Sequence, residues 1–166
     1  DVRSLGLLAE LTEVEVDAAS ALVGQAGTEA FARALEQDPD VIIAGRACDT
    51  GIYACIPQIL GFPLGPVMHM AKIIECASLC CDPGGRDPIL AVLDREGFVL
   101  ESMNPDRRAT PMSVAAHSLY EQADPNEIIE PEGIANVSAA QYQVVDERRT
   151  RVSGATWHPA SQMTVK

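Results

Sequence analysis

The stretch Asp40-Val41-Ile42-Ile43-Ala44-Gly45 decides the fold that the sequence predicts. Its centre is an unbroken apolar run with three consecutive β-branched residues, a pattern typical of a strand buried on both faces, as in a parallel sheet. A helical pattern over residues 28–37 precedes it, and Asp38-Pro39 ends that helix. A second helical pattern covers residues 49–60. Helix, strand and helix in this order predict an α/β fold with a parallel sheet.

Downstream, the patterns change from helical to β. A turn-rich connector over residues 61–66 leads into a long helical pattern over residues 67–81, and the apolar side chains of residues 61–68 predict a contact patch for another protein. Two apolar runs, 89–93 and 98–103, predict a β-hairpin. The remaining elements are a predicted helix over residues 110–122 and short strands over residues 134–137, 140–146, 148–153 and 162–166.

These elements predict an α/β fold whose N-terminal half is a parallel αβα layer. A smaller, mainly β (α+β) C-terminal half follows, and we expect the two to pack as one unit over residues 1–166, with any sub-boundary near residues 104–110. The chain opens on Asp1 without a Met, so we expect a fragment or a processed product.

Composition restricts the classes of function. The chain has 166 residues, of which 47% are apolar, and a formal net charge of −12 from 12 basic and 24 acidic residues. Such a surface repels nucleic acids and anionic lipids at long range, so we expect neither as a partner, and an acidic substrate needs a local basic pocket. No stretch is long and apolar enough for a membrane span, and no signal peptide is visible. The chain has five cysteines, and Cys80 and Cys81 are adjacent. Because an odd number with two neighbours fits a disulfide framework poorly, we expect reduced thiols in a cytoplasmic protein.

The first candidate site follows the predicted buried strand. In open α/β sheets, ligands bind beyond the carboxyl ends of the strands, where Gly45, Arg46, Asp49 and Thr50 are expected. The guanidinium of Arg46 and the N–H groups at the start of the next helix would hold a carboxylate or phosphate, and Asp49 would orient a water or hydroxyl. The structural alternative is that Asp49 caps the helix and Arg46 is its surface partner.

The second candidate site lies on the helix predicted over residues 67–81. His69, Lys72, Cys76 and Cys80 fall on one stripe of this helix, where His69 or Lys72 would move protons and Glu75 would pair with Lys72. The alternatives are buried cysteines that act as small apolar side chains and a solvated Lys–Glu pair. Without a carboxylate on the stripe, these residues make a poor metal site, and we expect none.

Two other polar segments are candidate ligand contacts. Gly84, Gly85 and Arg86 lie in a Gly-rich segment that would bind substrate or would simply form the turn that ends a helix. Arg149 and Arg151 share one face of a predicted strand, where they would hold an acidic ligand or form a solvated face.

Several segments in colinear order, from about residue 27 to the end, also match the motifs of a known family. The strand with Gly45-Arg46-Ala47-Cys48-Asp49, and the helix with Lys72-Ile73-Ile74-Glu75-Cys76, resemble two motifs of the acyclic terpene utilisation (AtuA-like) family, although the family pattern has His where Lys72 stands. Further similarity lies in Leu119-Tyr120-Glu121 with Asp124-Pro125 and Pro131, and in Arg151-Val152-Ser153-Gly154-Ala155 with Pro159-Ala160. The Gly-rich opening of the family pattern has no counterpart here. The chain thus looks like a core segment of the family's large domain.

The resemblance implies a catabolic protein of branched or terpenoid acid metabolism. Our first hypothesis is a hydratase or dehydratase, a carbon–oxygen lyase acting on a small carboxylic acid or its CoA thioester. Because no nicotinamide, flavin or pyridoxal motif occurs, we expect no cofactor. The second hypothesis is a non-catalytic ligand-binding or assembly subunit. Either would work as a homo-oligomer or with a companion protein subunit.

Overall fold

The computed structural model describes residues 12–162, in which helices lead and antiparallel strands follow. Capping and proline placement fix several helix starts: the Thr12 and Thr110 hydroxyls each accept a hydrogen bond from the first turn of the following helix. The helices are α1 (Glu13–Ala18), α2 (Thr28–Leu35), α3 (Asp49–Ile59), α4 (Leu64–Ile74), a 3-10 turn (Ala77–Cys80) and α5 (Pro111–His117).

The strands form two antiparallel sheets. They are β1 (Ile89–Leu93), β2 (Gly97–Ser102), β3 (Glu127–Glu130), β4 (Gly133–Asn136), β5 (Gln141–Val144), β6 (Arg149–Ser153) and β7 (Thr156–Pro159). One sheet has the order β1-β2-β6-β5 and the other the order β3-β4-β7. The hairpin of β1 and β2 confirms the prediction for residues 89–103, because its strands and its turn are encoded in one short segment.

Helix α4 lies at the centre of the molecule. Its sequence is apolar except for His69 and Lys72, and most of its residues are buried. Met70 and Ile73 pack with Phe98 of the larger sheet, whereas Val67 and Ala71 belong to a second apolar cluster that includes residues of β3 and β4. The helix therefore contributes to both clusters of the core.

The prediction of a parallel sheet is wrong for the described residues. The segment 40–44 forms no strand, and Val41 and Ile43 are 73% and 91% exposed rather than buried. Within residues 12–162, parallel pairing is limited to one bridge, between Ala26 and Ala47. A strand is stable only beside hydrogen-bonded neighbours, and the described chain supplies none for this apolar run upstream of the bridge.

The predicted helix over residues 67–81 is also corrected at both ends. It begins at Leu64, within the predicted connector, and ends at Ile74. Ala77, the first residue of the 3-10 turn, has a φ of 54°, which separates this turn from the right-handed path of α4. In the predicted contact patch over residues 61–68, Val67 and Met68 are fully buried, whereas Phe62 and Leu64 are half-buried, so the expected exposure of Met68 is wrong.

The other differences concern short elements. The helix predicted over residues 110–122 ends at His117, and strands β3 and β7 had no sequence prediction. Each is only four residues long, too short to give a clear period of two. The strand predicted for residues 162–166 lies outside the described residues except for its first position. No helix within residues 12–162 is both long and apolar enough to cross a membrane.

Candidate functional site

A polar cavity of about 270 Å³ brings together five of the predicted site residues: Arg46, Asp49, Thr50, Lys72 and Glu75. They come from two separate parts of the sequence, the start of α3 and the end of α4, which pack against each other. The remaining lining residues are Gln25, Cys48, Glu121 and Glu130. The two strongest sequence candidates are therefore walls of one site.

The start of α3 forms one wall. A parallel bridge holds it in place, since the Ala26 N–H donates to the Arg46 carbonyl at 3.5 Å and the Cys48 N–H donates to the Ala26 carbonyl at 2.8 Å. Asp49 is the first residue of α3, and no side chain caps this helix. The proposed capping role of Asp49 is therefore not observed, and its carboxylate is exposed at the cavity.

Arg46 and Thr50 are available to a ligand. Arg46 is exposed and forms no ion pair within the described chain, so its guanidinium is not engaged by Asp49. Thr50 is only 3% exposed, and its hydroxyl has no hydrogen-bond partner among residues 12–162. A nearly buried hydroxyl of this kind at the wall of a cavity can accept or donate a bond to a bound molecule.

Lys72 and Glu75 form the opposite wall. The Lys72 ammonium donates to the Glu75 carboxylate, with 2.5 Å between Nζ and Oε1, and their side chains are 13% and 6% exposed. The pair is thus largely withdrawn from water, unlike the solvated surface pair of the structural alternative. Removing one partner from such a pair is costly, because the other charge is then left buried and uncompensated.

Burial and neighbouring charges shift the pKa values of both members of this pair. Burial raises the pKa of Glu75, and the charges of Asp49 and Glu130 raise it further against the opposing effect of Lys72. Burial alone would lower the pKa of Lys72, but the hydrogen bond and charge of Glu75 outweigh it and raise that pKa. Glu75 therefore takes up a proton more readily than an ordinary carboxylate, whereas Lys72 holds its proton more tightly.

His69 does not reach the cavity. It is fully buried, with its Nε2 3.3 Å from the Ser118 hydroxyl, which also accepts a hydrogen bond of 3.0 Å from the Tyr142 hydroxyl. Burial lowers the pKa of His69 to about 4, so the imidazole is neutral at physiological pH. The predicted stripe of His69, Lys72, Cys76 and Cys80 does not exist as a single helical face, because α4 ends at Ile74.

The structure also places the glycine-rich candidates away from the cavity. Gly45 is exposed and does not line it. Gly84 and Gly85 lie in a turn whose carbonyls accept hydrogen bonds from Arg107, at 2.8 Å for Pro83 and 2.7 Å for Gly84. The exposed Arg86 lies in the same turn and does not line the cavity.

The arginines of β6 are paired at the surface. Arg149 pairs with Asp146 at 2.6 Å, and Arg151 pairs with Asp94 at 2.7 Å in a bidentate contact that joins β6 to the hairpin turn. Their geometry is that of the solvated strand face considered from the sequence. Neither residue lines the cavity.

Four cavity residues were missed in the sequence. Glu121 had a signal, because it belongs to the segment Leu119-Tyr120-Glu121 that resembles a family motif. Cys48 lies inside the first motif, but the sequence predicts only a reduced thiol there and no role in a site. Gln25 and Glu130 had no local signal, because only tertiary folding brings the residues before α2 and the end of β3 to this place.

An apolar groove of about 480 Å³ lies close to the cavity. Two segments of the chain contribute to both. In one segment Glu75 lines the cavity and Leu79 lines the groove, and in the other Glu121 lines the cavity and Tyr120 lines the groove. The groove is completed by Cys81, Ser113, Ala116, His117 and Leu119. Residues that neighbour one another in sequence therefore line the polar cavity and the apolar groove.

The chain matches the model of one protein family over residues 8–166, and that family is described as acyclic terpene utilisation family protein AtuA. The chain belongs to the AtuA family. The match begins upstream of the motifs that carried the resemblance, and it implies a role in acyclic terpene utilisation. Searches of curated proteins and of solved structures gave no match to this AtuA family member.

No group of three or more His, Cys, Asp or Glu side chains within residues 12–162 is arranged to hold a metal ion. All five cysteines are free thiols, and four of them are buried. The cavity is lined by four carboxylates, the Lys72 ammonium and the Arg46 guanidinium, together with the side chains of Gln25, Cys48 and Thr50.

Proposed function

We propose that this chain is a cofactor-free hydratase or dehydratase acting on a small branched carboxylic acid or its CoA thioester. The observation that carries the proposal is the withdrawn Lys72–Glu75 pair, which shares a cavity with an unpaired Arg46. A partly buried carboxylate whose pKa is raised by burial, as that of Glu75 is, is typical of proton-transfer sites. The role in acyclic terpene utilisation makes branched acyl groups the natural substrate class.

The residues divide the work as follows. Arg46 binds the carboxylate or the thioester carbonyl at the cavity wall, and Thr50 donates to the same group. Glu75 removes a proton from the carbon next to that carbonyl, and the bond between the neighbouring carbon and its hydroxyl oxygen breaks. The Lys72 ammonium gives its proton to the departing hydroxide, which leaves as water.

A proton transfer between the two side chains then restores the starting charges of the pair. After these steps Glu75 is protonated and Lys72 is neutral, and the proton crosses the 2.5 Å contact from Oε1 to Nζ. The substrate has lost one water, and the protein has regained its starting charges. Hydration is the reverse sequence. Preorganised proton transfer of this kind typically contributes about 10²- to 10⁴-fold to the rate.

The charge of the cavity favours one form of substrate. Asp49, Glu75, Glu121 and Glu130 supply carboxylates, whereas only Arg46 and Lys72 supply cations. A free carboxylate must therefore bring its charge into an excess of negative charge, whereas a CoA thioester presents a neutral carbonyl there if its phosphates stay outside the cavity. We favour the thioester, with its hydrocarbon chain directed into the adjacent apolar groove.

The test is isotope exchange in D₂O, which reports removal of the proton without requiring the final product. Wild-type protein should exchange the hydrogen next to the carbonyl of a branched 3-hydroxyacyl-CoA, as followed by NMR. Glu75→Gln should lower the exchange rate by about 10²-fold or more. Glu96→Gln, an exposed carboxylate in the hairpin turn, should leave it unchanged. An unchanged exchange rate in Glu75→Gln would mean that another group removes the proton from the substrate.

The second candidate function is a non-catalytic ligand-binding or assembly subunit. It is favoured by a specific observation: large apolar side chains before and along α3 remain uncovered, as expected of a chain that works beside another. A thermal-shift screen with acids and acyl thioesters separates the two. Stabilisation without isotope exchange or turnover supports the binding subunit, whereas both together support the enzyme.

A further inference from the structure

Strand β1 is an edge of the four-stranded sheet, because within the described chain it pairs only with β2. All residues of Ile89–Leu93 are apolar, and Leu90 and Val92 are 45% and 59% exposed on the outer face of the sheet. Proteins usually protect such an edge with a charged residue, a proline or a bulge within the strand. Strand β1 contains none of these, whereas β5, at the opposite edge of the sheet, has polar residues at alternate positions.

The backbone of β1 presents hydrogen-bonding groups along this edge. The Asp94 N–H donates to the Gly97 carbonyl at 2.9 Å, and this bond sets the phase of the ladder between β1 and β2. Because hydrogen-bonded positions alternate along an antiparallel pair, the N–H and C=O groups of Ile89, Ala91 and Leu93 point away from β2. No other strand among residues 12–162 pairs with them on that side.

The apolar sequence of β1 is symmetric about Ala91. Two large apolar residues lie on either side of this small one, Ile89-Leu90 before it and Val92-Leu93 after it. An antiparallel pair of β1 strands centred on Ala91 places Leu90 of one copy opposite Val92 of a second copy on the outer face. The outward N–H and C=O groups of both strands are then paired, and the exposed apolar side chains cover one another.

The charges that flank β1 have the same symmetry, but with opposite signs. Arg86 and Glu96 lie five residues before and after Ala91, both are exposed, and neither forms an ion pair within residues 12–162. Asp87, which also forms an ion pair within its own chain, and Arg95 lie four residues before and after it. Antiparallel pairing therefore brings opposite charges together, whereas parallel pairing in register would bring like charges together. A strand from elsewhere in the same polypeptide needs no such symmetry in β1, because it would pair a different sequence with it.

We infer that the free edge of β1 is a dimer interface, at which two copies of this chain pair antiparallel about a two-fold axis at Ala91. Such an interface requires a surface that is complementary to itself, which the apolar pattern and the flanking charges of β1 provide. The four-stranded sheets of the two copies would form one continuous sheet. The net charge of −12 on each copy opposes association at long range, but at physiological ionic strength this repulsion is screened beyond about 8 Å.

A concentration series in analytical ultracentrifugation tests the interface. Wild-type protein should show a reversible monomer–dimer equilibrium. Val92→Lys should weaken dimerisation by about tenfold or more, because it places a charge against an apolar side chain of the second copy. Val144→Lys is the matched control, since it changes a 69% exposed valine of β5, and it should leave the equilibrium unchanged.

Charge reversal tests the orientation of the two strands. Arg86→Glu and Glu96→Arg should each weaken dimerisation, because each single variant brings like charges together. The double variant restores opposite charges across the two-fold axis and should recover the affinity of the wild type. Failure of the double variant to recover would contradict the antiparallel pairing.

Hydrogen–deuterium exchange on the wild-type protein, followed by NMR, requires no variant. The amides of Ile89, Ala91 and Leu93 should exchange more slowly as the protein concentration rises. Equally slow exchange in the dilute monomer would mean that a segment of the same chain covers the edge.

Two results of the ultracentrifugation would also overturn the inference. A chain that stays monomeric across the series has no such interface. Dimerisation that is weakened by Val144→Lys but not by Val92→Lys would place the interface at another surface. None of these results depends on isotope exchange by the Lys72–Glu75 pair.

Discussion

Lowering the pH should weaken the fold through one buried side chain, His69. The imidazole has a pKa of 6.5 in the unfolded chain, whereas burial lowers the pKa of His69 in the folded chain to about 4. Between these values the unfolded state binds more protons, so the free energy of unfolding falls as the pH falls. The contribution is fully present above pH 6.5 and is lost on the way down to about pH 4.

The size of the effect follows from the pKa. A fall from 6.5 to about 4 corresponds to about 3 kcal/mol in total, and about 2 kcal/mol of it is lost between about pH 7.5 and about pH 5. His69 is fully buried, so solvent does not screen the effect. It packs edge-on against Phe98 and Tyr142, with no acidic partner that would stabilise its charged form.

Urea denaturation over this pH range measures the effect. Wild-type protein should lose about 2 kcal/mol more than His69→Met, which is apolar and of similar volume. The Ser118 hydroxyl keeps its bonds to Val114 and Tyr142 in that variant. His117, whose pKa burial also lowers, is present in both proteins and cancels. His158→Gln, at an exposed histidine, is the control and should behave like wild type.

Equal losses in wild type and His69→Met would refute the reasoning. A measurement on the wild type alone guards against a variant that folds poorly. The His69 ring signals in an NMR titration should stay unchanged down to about pH 5. A midpoint near 6.5 would mean that water or a hidden partner reaches the ring.

Three other predictions concern the ligand site, the thiols and the packing of α4. Arg46→Ala should weaken acyl-ligand binding by about tenfold to a hundredfold in calorimetry, because it removes a charge-assisted hydrogen bond. Arg46→Lys should recover part of the lost affinity. A fall in melting temperature with unchanged affinity would instead make Arg46 structural. Denatured protein without reductant should show five reactive thiols, and three or fewer would reveal a disulfide. Gly65→Ala should lower the free energy of unfolding by about 1–3 kcal/mol, because a Cβ there would collide with the Ala155 carbonyl, whereas Gly45→Ala, where a Cβ meets open space, should not.

Local sequence information predicted the elements that are local in the structure. The hairpin of β1 and β2 and helix α3 depend on neighbours along the chain, and both lie close to their predicted positions. The run Val41–Ala44 was predicted as a buried strand from its composition, but burial depends on neighbours that the described residues do not provide. Periodicity identifies a surface that favours burial; it does not show what buries it.

The same distinction applies to the site. Arg46 and Lys72 were found because a charged residue beside a turn or within an apolar helix stands out in sequence. Their convergence on one cavity depends on the packing of α3 against α4, which no local pattern encodes. His69 stood out for the same reason as Lys72, but it lies at the centre of α4 and is fully buried, whereas Lys72 lies in the last turn of the helix.

The strand order β1-β2-β6-β5 has a consequence for how the chain can be divided. Strands β2 and β6 pair along their length although the whole of α5 and the smaller sheet, except β7, lie between them in sequence. A cut in the loop after β2 would leave neither piece with the complete four-stranded sheet, and each piece would present the edge that the other needs. Such a pair of fragments is suited to a split reporter, whose signal returns only when two fused proteins bring the halves of the sheet together.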